Sequence, residues 1–468
     1  MADYLTEYYR CPERYVQCAL RGSLSESSGY FRFRDCALYG RYAGRRLPHS
    51  PLADLPDAFS ETTIENQKMY LPFDVAEVVD NLRNERYRYG FSDTNSGIRS
   101  AVNRMYYGLR PFLAVWVRKH FQKLYLKGWE RIAFPAWPVD RTVDTLFDHL
   151  LLLSMRSAGI TQVPFIWFWP EGAPSCAMMT HDVETVEGRD LCVPLMDIND
   201  SFGIKASFQV VPEERYEVPP GFLKSITNRG FGIGVQDLNH DGRLYAKHRQ
   251  FIARAHKINS YGRQWGAEGF RSAILYRNQE WFDALEFSYD MSVPNVAHLD
   301  PQRGGCCTVM PYFVGKMLEL PVTTTQDYTL FHVLGDYSLN LWKRQIDLIM
   351  KRHGLISFIV HPDYLTTPRE IAVYKGLLGE LAKLREERGI WIAIPDEVNR
   401  WWRQRAEMRL VEAGDTLRIE GPGSERARLA YASEKDGRLV FTPQPLSTGK
   451  AIPPTASILT EALARSRA

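Results

Sequence analysis

Residues 175–184 read SCAMMTHDVE, a short apolar run that ends in a cluster of polar side chains. A short apolar run with polar residues at its end is typical of a buried strand. Three later apolar runs end in the same way: FGIGV leads into Gln236, GAEGF into Arg271, and LISFIV into His361. Functional side chains of parallel α/β folds collect at the carboxyl ends of the strands. We therefore expect the polar residues at these four strand ends to share one rim of the fold.

The segments between these runs have helical character. Strands such as KASFQVV alternate with helical stretches such as LYAKHRQFIARAHKIN across the middle of the chain. Strand–helix alternation is the pattern of parallel strands joined by crossover helices. The sequence therefore predicts an α/β fold, in which the parallel strands form a sheet or a barrel.

The regions on either side of this middle domain differ from it in pattern. Residues 1–160 form an N-terminal region of unknown role that we expect to be mainly helical, with one helix from Val143 to Ala158. We assign residues 161–405 to the middle domain. The short runs TLRIEG, RARLAY and RLVFTP then predict a small β appendage, followed by a mobile tail, over residues 406–468.

One stretch of the N-terminal region, RPFLAVWVRKHFQKLYLKGW, is both basic and amphipathic. Its apolar residues recur at helical spacing, while Lys119, Lys123 and Lys127 line another face. A surface helix that packs its apolar stripe on the protein core has this pattern, and we favour that interpretation. The alternative is peripheral contact with an anionic membrane through residues 110–128.

The composition excludes several classes of protein. The chain has 468 residues, a net charge of +3 and 45% hydrophobic residues, so nothing indicates a nucleic-acid partner. The cysteines number seven, and Cys306 and Cys307 are adjacent, which argues against a disulfide framework and for a reducing compartment. We interpret the adjacent pair as part of a buried turn in preference to a redox pair. The N-terminus has no secretory-signal pattern. We therefore expect a cytoplasmic protein, and the oligomeric state stays open.

The stretch GVQDLNHDGRLY, residues 234–245, contains half of a calcium-loop pattern. Asp237, Asn239 and Asp241 match the first oxygen ligands of an EF-hand, but the twelfth position is His248, where a bidentate glutamate is needed. The preceding run also reads as a strand, whereas an EF-hand enters from a helix. We interpret these three side chains as a polar turn that satisfies backbone groups.

The order of these motifs resembles the polysaccharide deacetylase family (NodB-homology, carbohydrate esterase family 4-like), over roughly residues 165 to 400. YDMS at 289–292 is similar to the family's Tyr-Asp-Ser-Ser, and ELPVT at 319–323 to the strand that follows it. The resemblance implies a distorted (β/α)7 barrel of the polysaccharide deacetylase type.

The resemblance also implies roles for single residues. THDVE is similar to the first motif of the family, which makes Asp182 the general base and Glu184 the metal carboxylate. Arg271 stands where the family keeps the arginine that holds the base. His361 matches the histidine that protonates the leaving amine. The second motif, a His-x-x-x-His pair, falls on residues 236 and 240.

The sequence departs from the family at two metal positions. Glu184 replaces the usual aspartate, and Gln236 stands where the first histidine is expected, so His240 is the remaining imidazole of the pair. A carboxamide oxygen is a poorer zinc ligand than an imidazole. The resemblance implies a divalent metal, zinc in most of the family, held by Glu184, His240 and Gln236; a weakly held zinc, a harder ion and no ion all stay open.

The expected function is hydrolysis of an N- or O-acyl group, acetyl in most of the family, on a sugar or glycan precursor of envelope or exopolysaccharide synthesis. Asp363 and Tyr364 follow His361 and line the substrate groove or cap the strand end. Two alternatives remain: a catalytically decayed carbohydrate-binding or scaffold protein, and a metal-independent amide hydrolase. Taken alone, Arg271 and His361 also have structural interpretations, as an ion pair and a strand-end hydrogen-bonding group.

Overall fold

The structure is a computed structural model that describes residues 3–90, 126, 128–413 and 416–444. Nearly all of the basic stretch at 110–128 lies outside these residues, so both interpretations of it stay predictions. Within the described ranges, we find no helix with the length and apolar character that crossing a membrane requires. The seven cysteines are all buried and unpaired.

The N-terminal region mixes helices with strands. Its described elements are α1 (Asp3–Tyr9), β1 (Cys18–Leu20), β2 (Gly29–Phe33), β3 (Cys36–Gly40), β4 (Thr63–Glu65), β5 (Lys68–Leu71), α2 (Val75–Arg83) and α3 (Thr142–Ala158). Strands β2 and β3 form a hairpin, and β1, β5 and β4 form a small sheet. The helix α3 matches the helix expected at 143–158, and its apolar face is buried. The sequence predicted a mainly helical region, but short strands occupy much of its described part.

The middle of the chain forms the predicted α/β barrel. Its strands, in chain order after β6 (Gln162–Ile166), are β7 (Cys176–Val183), β8 (Ala206–Val210), β9 (Gly232–Gln236), β10 (Gly269–Arg271), β11 (Tyr289–Asp290), β12 (Tyr312–Val314), β13 (Met317–Glu319), β14 (Leu355–Val360) and β15 (Trp391–Ile392). The spatial order is β12-β13-β11-β10-β9-β8-β7-β14, and β15 pairs with β7. Except for the antiparallel β12–β13 pair, all of these pairs are parallel. Seven strands from β13 to β14 therefore follow one another as in a (β/α)7 barrel.

The barrel is distorted because no strand ladder joins β13 to β14 among the described residues. Threonine side chains bridge the gap. Thr323 Oγ1 donates to the Leu355 carbonyl at 2.7 Å and accepts from the Ser357 N–H at 2.9 Å. Thr324 Oγ1 donates to the Ser357 carbonyl at 2.7 Å. These bonds hold the chain after β13 against β14 and close the barrel without a backbone ladder.

Helices cover the outside of the barrel. They are α4 (Val186–Asp190), α5 (Cys192–Ser201), α6 (Pro220–Thr227), α7 (His248–Trp265), α8 (Asn340–Met350), α9 (Pro368–Arg388) and α10 (Pro395–Glu407). Most of the crossovers between parallel strands contain at least one of them, as the alternation in the sequence predicted. On β14, Ile356, Phe358 and Val360 pack outward in the core beneath these helices. The side chains at alternate positions of this strand therefore face the barrel interior.

The C-terminal appendage consists of β16 (Arg409–Ala413), β17 (Thr416–Glu420), β18 (Leu429–Lys435) and β19 (Arg438–Pro443). Strands β16 and β17 pair as a hairpin, as do β18 and β19. Strand β18 also pairs antiparallel with β6. Strand β6, which the predicted domain bounds of 161–405 assign to the middle domain, therefore belongs to the sheet of the appendage.

The N-terminal region is packed directly on the barrel. One apolar core contains Tyr9 and Phe31 of that region together with Met178 and Tyr289 of the barrel. A buried ion pair adds to this contact: Arg277 Nε donates to Glu85 Oε2 at 2.8 Å, and Arg277 Nη2 contacts Glu85 Oε1. The region thus takes part in the packing around the barrel.

Candidate active site

The carboxyl ends of β7, β9, β10 and β14 bring the predicted site residues together. Asp182 is the last but one residue of β7, Gln236 ends β9, and Arg271 ends β10. His361 directly follows β14 with an extended backbone. Because these strands are parallel, their ends share one rim of the barrel. In the sequence, each of these four residues ends or follows an apolar run, and this local pattern predicted its position at the rim.

Asp182 is held by Arg271. Arg271 Nη1 donates to Asp182 Oδ1 at 2.6 Å and to Thr180 Oγ1 at 2.8 Å, while Arg271 Nε donates to the Met291 carbonyl at 3.1 Å. Both members of this ion pair are buried, with side chains 0% and 6% exposed. A buried guanidinium fixed at three points orients the carboxylate rigidly. Arg271 therefore contacts Asp182, as the sequence predicted.

Gln236 joins the two carboxylates. Its Nε2 donates to Asp182 Oδ2 at 3.1 Å and to Glu184 Oε1 at 3.1 Å. This orientation of the amide follows from its neighbours, since two carboxylate oxygens need a donor between them. In the arrangement seen, Gln236 is a hydrogen-bond donor, and its role as a metal ligand stays a prediction.

Glu184 lies between two imidazoles. His240 Nε2 is 2.8 Å from Glu184 Oε1, and His361 Nε2 is 3.5 Å from the same atom. Burial alone would raise the pKa of the Glu184 carboxyl, but His240 and His361 outweigh it and hold that pKa well below its usual range. Burial lowers the pKa of His240, and Glu184 more than compensates, so the net shift is upward. The site therefore favours an ionised carboxylate beside protonated imidazoles.

His361 has a second carboxylate partner that the sequence did not reveal. Asp327 Oδ1 lies 2.7 Å from His361 Nδ1, and Asp327 Oδ2 accepts from the His361 backbone N–H at 2.7 Å. Burial lowers the pKa of His361, but Asp327 and Glu184 raise it well above the ordinary value of 6.5. Asp327 fixes Nδ1 as the protonated nitrogen and leaves Nε2 facing the site. Asp327 lies in TTTQDYT, 34 residues before its partner, with no flanking motif.

Asp363 and Tyr364 lie at the edge of the site. Asp363 Oδ2 accepts from Thr185 Oγ1 at 3.0 Å, which ties the turn after Glu184 to the end of β14. The Tyr364 ring packs against the His361 ring, with 4.6 Å between the ring centroids. These contacts support the shape of the site, and contact of either residue with substrate stays a prediction. His181 points away, with Nδ1 3.0 Å from the Val360 carbonyl and Nε2 near Asn199.

The loop after Gln236 is a turn held by its own side chains. Asp237 Oδ1 accepts from the Leu238 N–H at 2.6 Å, and Asp241 Oδ1 accepts from the Arg243 N–H at 2.8 Å. Arg254 also pairs with both oxygens of Asp241 at 2.7 Å. The loop leaves from the end of a strand, so the calcium-loop alternative has no structural support. The turn places His240 beside Glu184.

The donor atoms of the site fit a divalent metal ion. Asp182, Glu184 and His361 each offer an oxygen or nitrogen within 4.8 Å of the others, and His240 adds a second imidazole beside Glu184. Carboxylate oxygens and imidazole nitrogens are ligands that zinc accepts. Gln236 Oε1 is buried and has no hydrogen-bond partner within the described residues. If the amide turned over, it would present that oxygen where Nε2 now lies.

No protein-family model and no curated protein matches the chain. Comparison with solved structures finds 33 similar chains. The solved structures similar to this chain include polysaccharide deacetylases. A putative polysaccharide deacetylase from Mycobacterium smegmatis aligns over 53% of this chain and 97% of its own, with 17% identity and a TM-score of 0.42. A probable polysaccharide deacetylase from Pseudomonas aeruginosa aligns over 50% and 92%, with 12% identity and a TM-score of 0.39.

A family 4 acetyl xylan esterase from Clostridium thermocellum is also similar, over 48% of this chain and 91% of its own, with 13% identity and a TM-score of 0.30. In all three cases the alignment covers about half of the chain. At these identities the likeness does not extend to the reaction, which must follow from the geometry of the site.

The Asp327–His361 pair predicts a specific pH dependence. If His361 acts as an acid in a reaction at this site, it must carry its proton, so activity is lost as the pH rises through its raised pKa. Replacement of Asp327 by asparagine removes the largest influence that raises this pKa. The alkaline limb of the kcat/KM profile, which reports groups of the free enzyme, is therefore expected to move to lower pH in Asp327→Asn. A profile measured from pH 5 to 10 checks this, and an unmoved limb would show that another group is the acid.

Proposed function

We propose that the protein is a hydrolase that removes an acyl group from the nitrogen or oxygen of a sugar. The observation that carries the proposal is the pairing of a buried Asp182–Arg271 unit with a buried His361–Asp327 unit across Glu184. One unit offers a fixed carboxylate and the other a fixed imidazolium. Acyl transfer to water needs one group that takes a proton and another that gives one.

Asp182 is the base in this mechanism. As water attacks the acyl carbon, one Asp182 oxygen accepts the water proton, while Arg271 keeps the carboxylate in place. Arg271 also donates to Thr180 Oγ1 and to the Met291 carbonyl, so its guanidinium stays in place when substrate binds. The tetrahedral species then collapses, and the C–N or C–O bond to the sugar breaks.

His361 is the acid. Its Nε2 gives a proton to the departing amine or alkoxide, while Asp327 holds Nδ1 and the backbone N–H. Glu184 and His240 would hold a divalent ion, with Asp182 and the turned-over Gln236 amide in reach. Such an ion, when bound, polarises the acyl oxygen and stabilises the charge that develops on it. Zinc is the ion we propose.

A second candidate is a hydrolase that works without metal. The observation that favours it is the Gln236 amide, which already joins both carboxylates with its two N–H bonds. Arg271, His240 and His361 also balance the negative charges of the site. In this case Asp182 and His361 keep the same roles.

Metal analysis separates the two candidates. We expect about one transition metal ion per chain in the purified protein, lost in the double variant Glu184→Ala/His240→Ala. The matched control is Glu187→Ala/His256→Ala, which changes the same residue types at exposed positions and should keep the ion. In parallel, hydrolysis of N-acetylated glucosamine oligomers is followed by the release of free amine, and hydrolysis of O-acetylated sugars by the release of acetate, each with and without chelator.

The outcomes separate cleanly. Metal in the wild type and chelator-sensitive hydrolysis support the metal-assisted reaction. Hydrolysis without metal that is insensitive to chelator supports the second candidate. If no acylated sugar, N- or O-linked, is hydrolysed under either condition, the hydrolase proposal fails and a binding role on this fold remains.

A further inference from the structure

An aspartate, a cysteine and a histidine of the N-terminal region converge away from the barrel rim. Asp35, Cys36 and His149 each offer one ligand atom, and these three atoms all lie within 4.8 Å of one another. His149 Nε2 is 2.5 Å from Asp35 Oδ1, and Cys36 Sγ is 4.0 Å from the same oxygen. Thiolate sulfur, imidazole nitrogen and carboxylate oxygen are the donor types that zinc accepts in proteins. The cluster therefore has the chemistry of a zinc site.

The turn between β2 and β3 brings two of these donors to one side. Strand β2 ends at Phe33 and β3 begins at Cys36, so Arg34 and Asp35 form the turn, and Arg34 has a left-handed backbone with φ of 55°. Successive residues of a strand point to opposite faces. Asp35 belongs to the turn, and its carboxylate lies beside the Cys36 thiol. The Arg34 guanidinium packs on the Phe59 ring, 4.3 Å from its centroid, and among the described residues no lysine or arginine pairs with Asp35.

The third donor comes from α3, far along the chain. His149 follows Asp35 by 114 residues, and the residue before it, Asp148, pairs with Arg352 of the barrel. Arg352 precedes β14, whereas His361 follows this strand. The cluster therefore lies toward the end of β14 opposite the candidate active site. An ion held here fastens the β2–β3 hairpin to a helix that is itself bound to the barrel, and a metal that closes so long a loop stabilises the fold.

The distances fit a zinc ion after a small movement. Zinc lies about 2.0–2.3 Å from nitrogen, oxygen and sulfur ligands, so the ligand atoms of a tetrahedral site are about 3.4–3.6 Å apart. The separation of His149 from Asp35 is shorter than this, and that of Cys36 from Asp35 is longer. A turn of the Asp35 carboxylate toward the thiol corrects both, and its side chain is 74% exposed and so is free to turn. Its exposure also gives an ion a path from solution to the buried thiol.

The arrangement does not suit nucleophilic catalysis. A cysteine nucleophile needs a base within hydrogen-bond reach. Among the described residues, no hydrogen bond joins the Cys36 thiol to the His149 imidazole; both groups contact Asp35, and Cys36 Sγ also contacts the Thr142 carbonyl at 3.9 Å. Cys36 is 4% exposed, which leaves little room for a substrate at the sulfur. The cluster is better suited to hold an ion than to carry out a reaction.

We propose that Asp35, Cys36 and His149 bind a zinc ion that fastens the β2–β3 hairpin to α3. The site is separate from the candidate active site and does not depend on the proposed function. When zinc binds, the Cys36 thiol releases its proton to solvent, and the thiolate coordinates the ion with the imidazole and the carboxylate. Because three side chains leave the fourth position to water and Asp35 is exposed, this site loses its ion during purification and fills when metal is added.

Titration of the full-length protein with cobalt(II) tests the site, because cobalt takes the place of zinc and a cobalt–thiolate bond has its own charge-transfer absorption. The proposed ligands of the active site include no sulfur, so this absorption reports the Cys36 site alone. We expect the band to saturate at one thiolate-bound cobalt per chain. The protein is kept reduced with a phosphine, since a thiol reductant would itself bind cobalt.

Variants assign the band to its ligands. Cys36→Ser should abolish it, and Asp35→Asn and His149→Ala should each weaken cobalt binding at least about tenfold. The matched control is Cys18→Ser, the same change at another buried cysteine of the N-terminal region, which should keep the band. Asp35→Asn changes an exposed side chain, so it tests the site even if Cys36→Ser does not fold.

Thermal unfolding gives a second readout. In the double variant Glu184→Ala/His240→Ala, which lacks two ligands of the active site, added zinc should still raise the Tm, because an ion that binds only the folded chain stabilises it. The further change Cys36→Ser should remove this rise. A folded wild-type protein that shows no thiolate band with excess cobalt overturns the proposal, as does a band that persists in Cys36→Ser. Neither result bears on the hydrolase proposal, since no turnover is measured.

Discussion

Replacement of Asp182 by asparagine is expected to lower kcat/KM about 10²- to 10⁴-fold, the range that a positioned general base contributes. The structure makes this a sharp test. Asp182 receives one hydrogen bond from Arg271 and another from Gln236, on different oxygens. Asparagine has a single side-chain oxygen, so one of these donors would face an amide NH2 group. The variant therefore loses the proposed base and also one of the hydrogen bonds that orient that side chain.

The measurement needs a substrate assay and a stability assay side by side. Glucosamine release gives kcat/KM, and thermal unfolding shows whether the variant is folded. The matched control is Asp54→Asn, the same change at an exposed position remote from the barrel rim in sequence, which should keep full activity. A folded Asp182→Asn protein with wild-type kcat/KM would exclude Asp182 as the base and with it the proposed mechanism.

Replacement of Glu85 by glutamine is expected to lower the free energy of unfolding by about 3–5 kcal/mol, the typical result of leaving one partner of a buried ion pair uncompensated. The side chains of Arg277 and Glu85 are only 1% and 3% exposed. Glu85 Oε1 also accepts from the Gly305 N–H at 2.6 Å, so three elements meet at this carboxylate. Arg277 Nη1 in turn donates to the Leu275 carbonyl at 2.8 Å.

Urea unfolding of matched variants measures this effect. The control is Glu65→Gln, which breaks the Arg21–Glu65 pair, where both side chains are about half exposed at 53% and 51%. An exposed pair contributes about 0–1 kcal/mol, so Glu65→Gln should change the stability little. Equal losses in the two variants would show that the Glu85–Arg277 contact does not hold the N-terminal region to the barrel.

The residues that sequence reasoning placed correctly share one property: their signal is local. Asp182, Gln236, Arg271 and His361 each follow an apolar run, and the strand period and crossover rule bring such ends to one rim. The fold class was predictable for the same reason, since alternating strands and helices leave few topologies. The strand β6 was different. Four of its five residues are buried, but an apolar composition does not specify the partner strand, which is β18 of the appendage.

The sequence by itself determined that the middle of this chain is an α/β fold with Asp182, Arg271 and His361 at one rim, because those properties depend on neighbours along the chain. Only the tertiary structure decided which distant side chains form hydrogen bonds with these residues and with the rest of the barrel. Asp327 reaches His361 across 34 residues, Gln236 reaches Asp182 across 54, and Glu85 reaches Arg277 across 192. Each of these contacts depends on where two distant segments pack, and hydrogen-bonding groups of this kind carry no periodic pattern in the sequence.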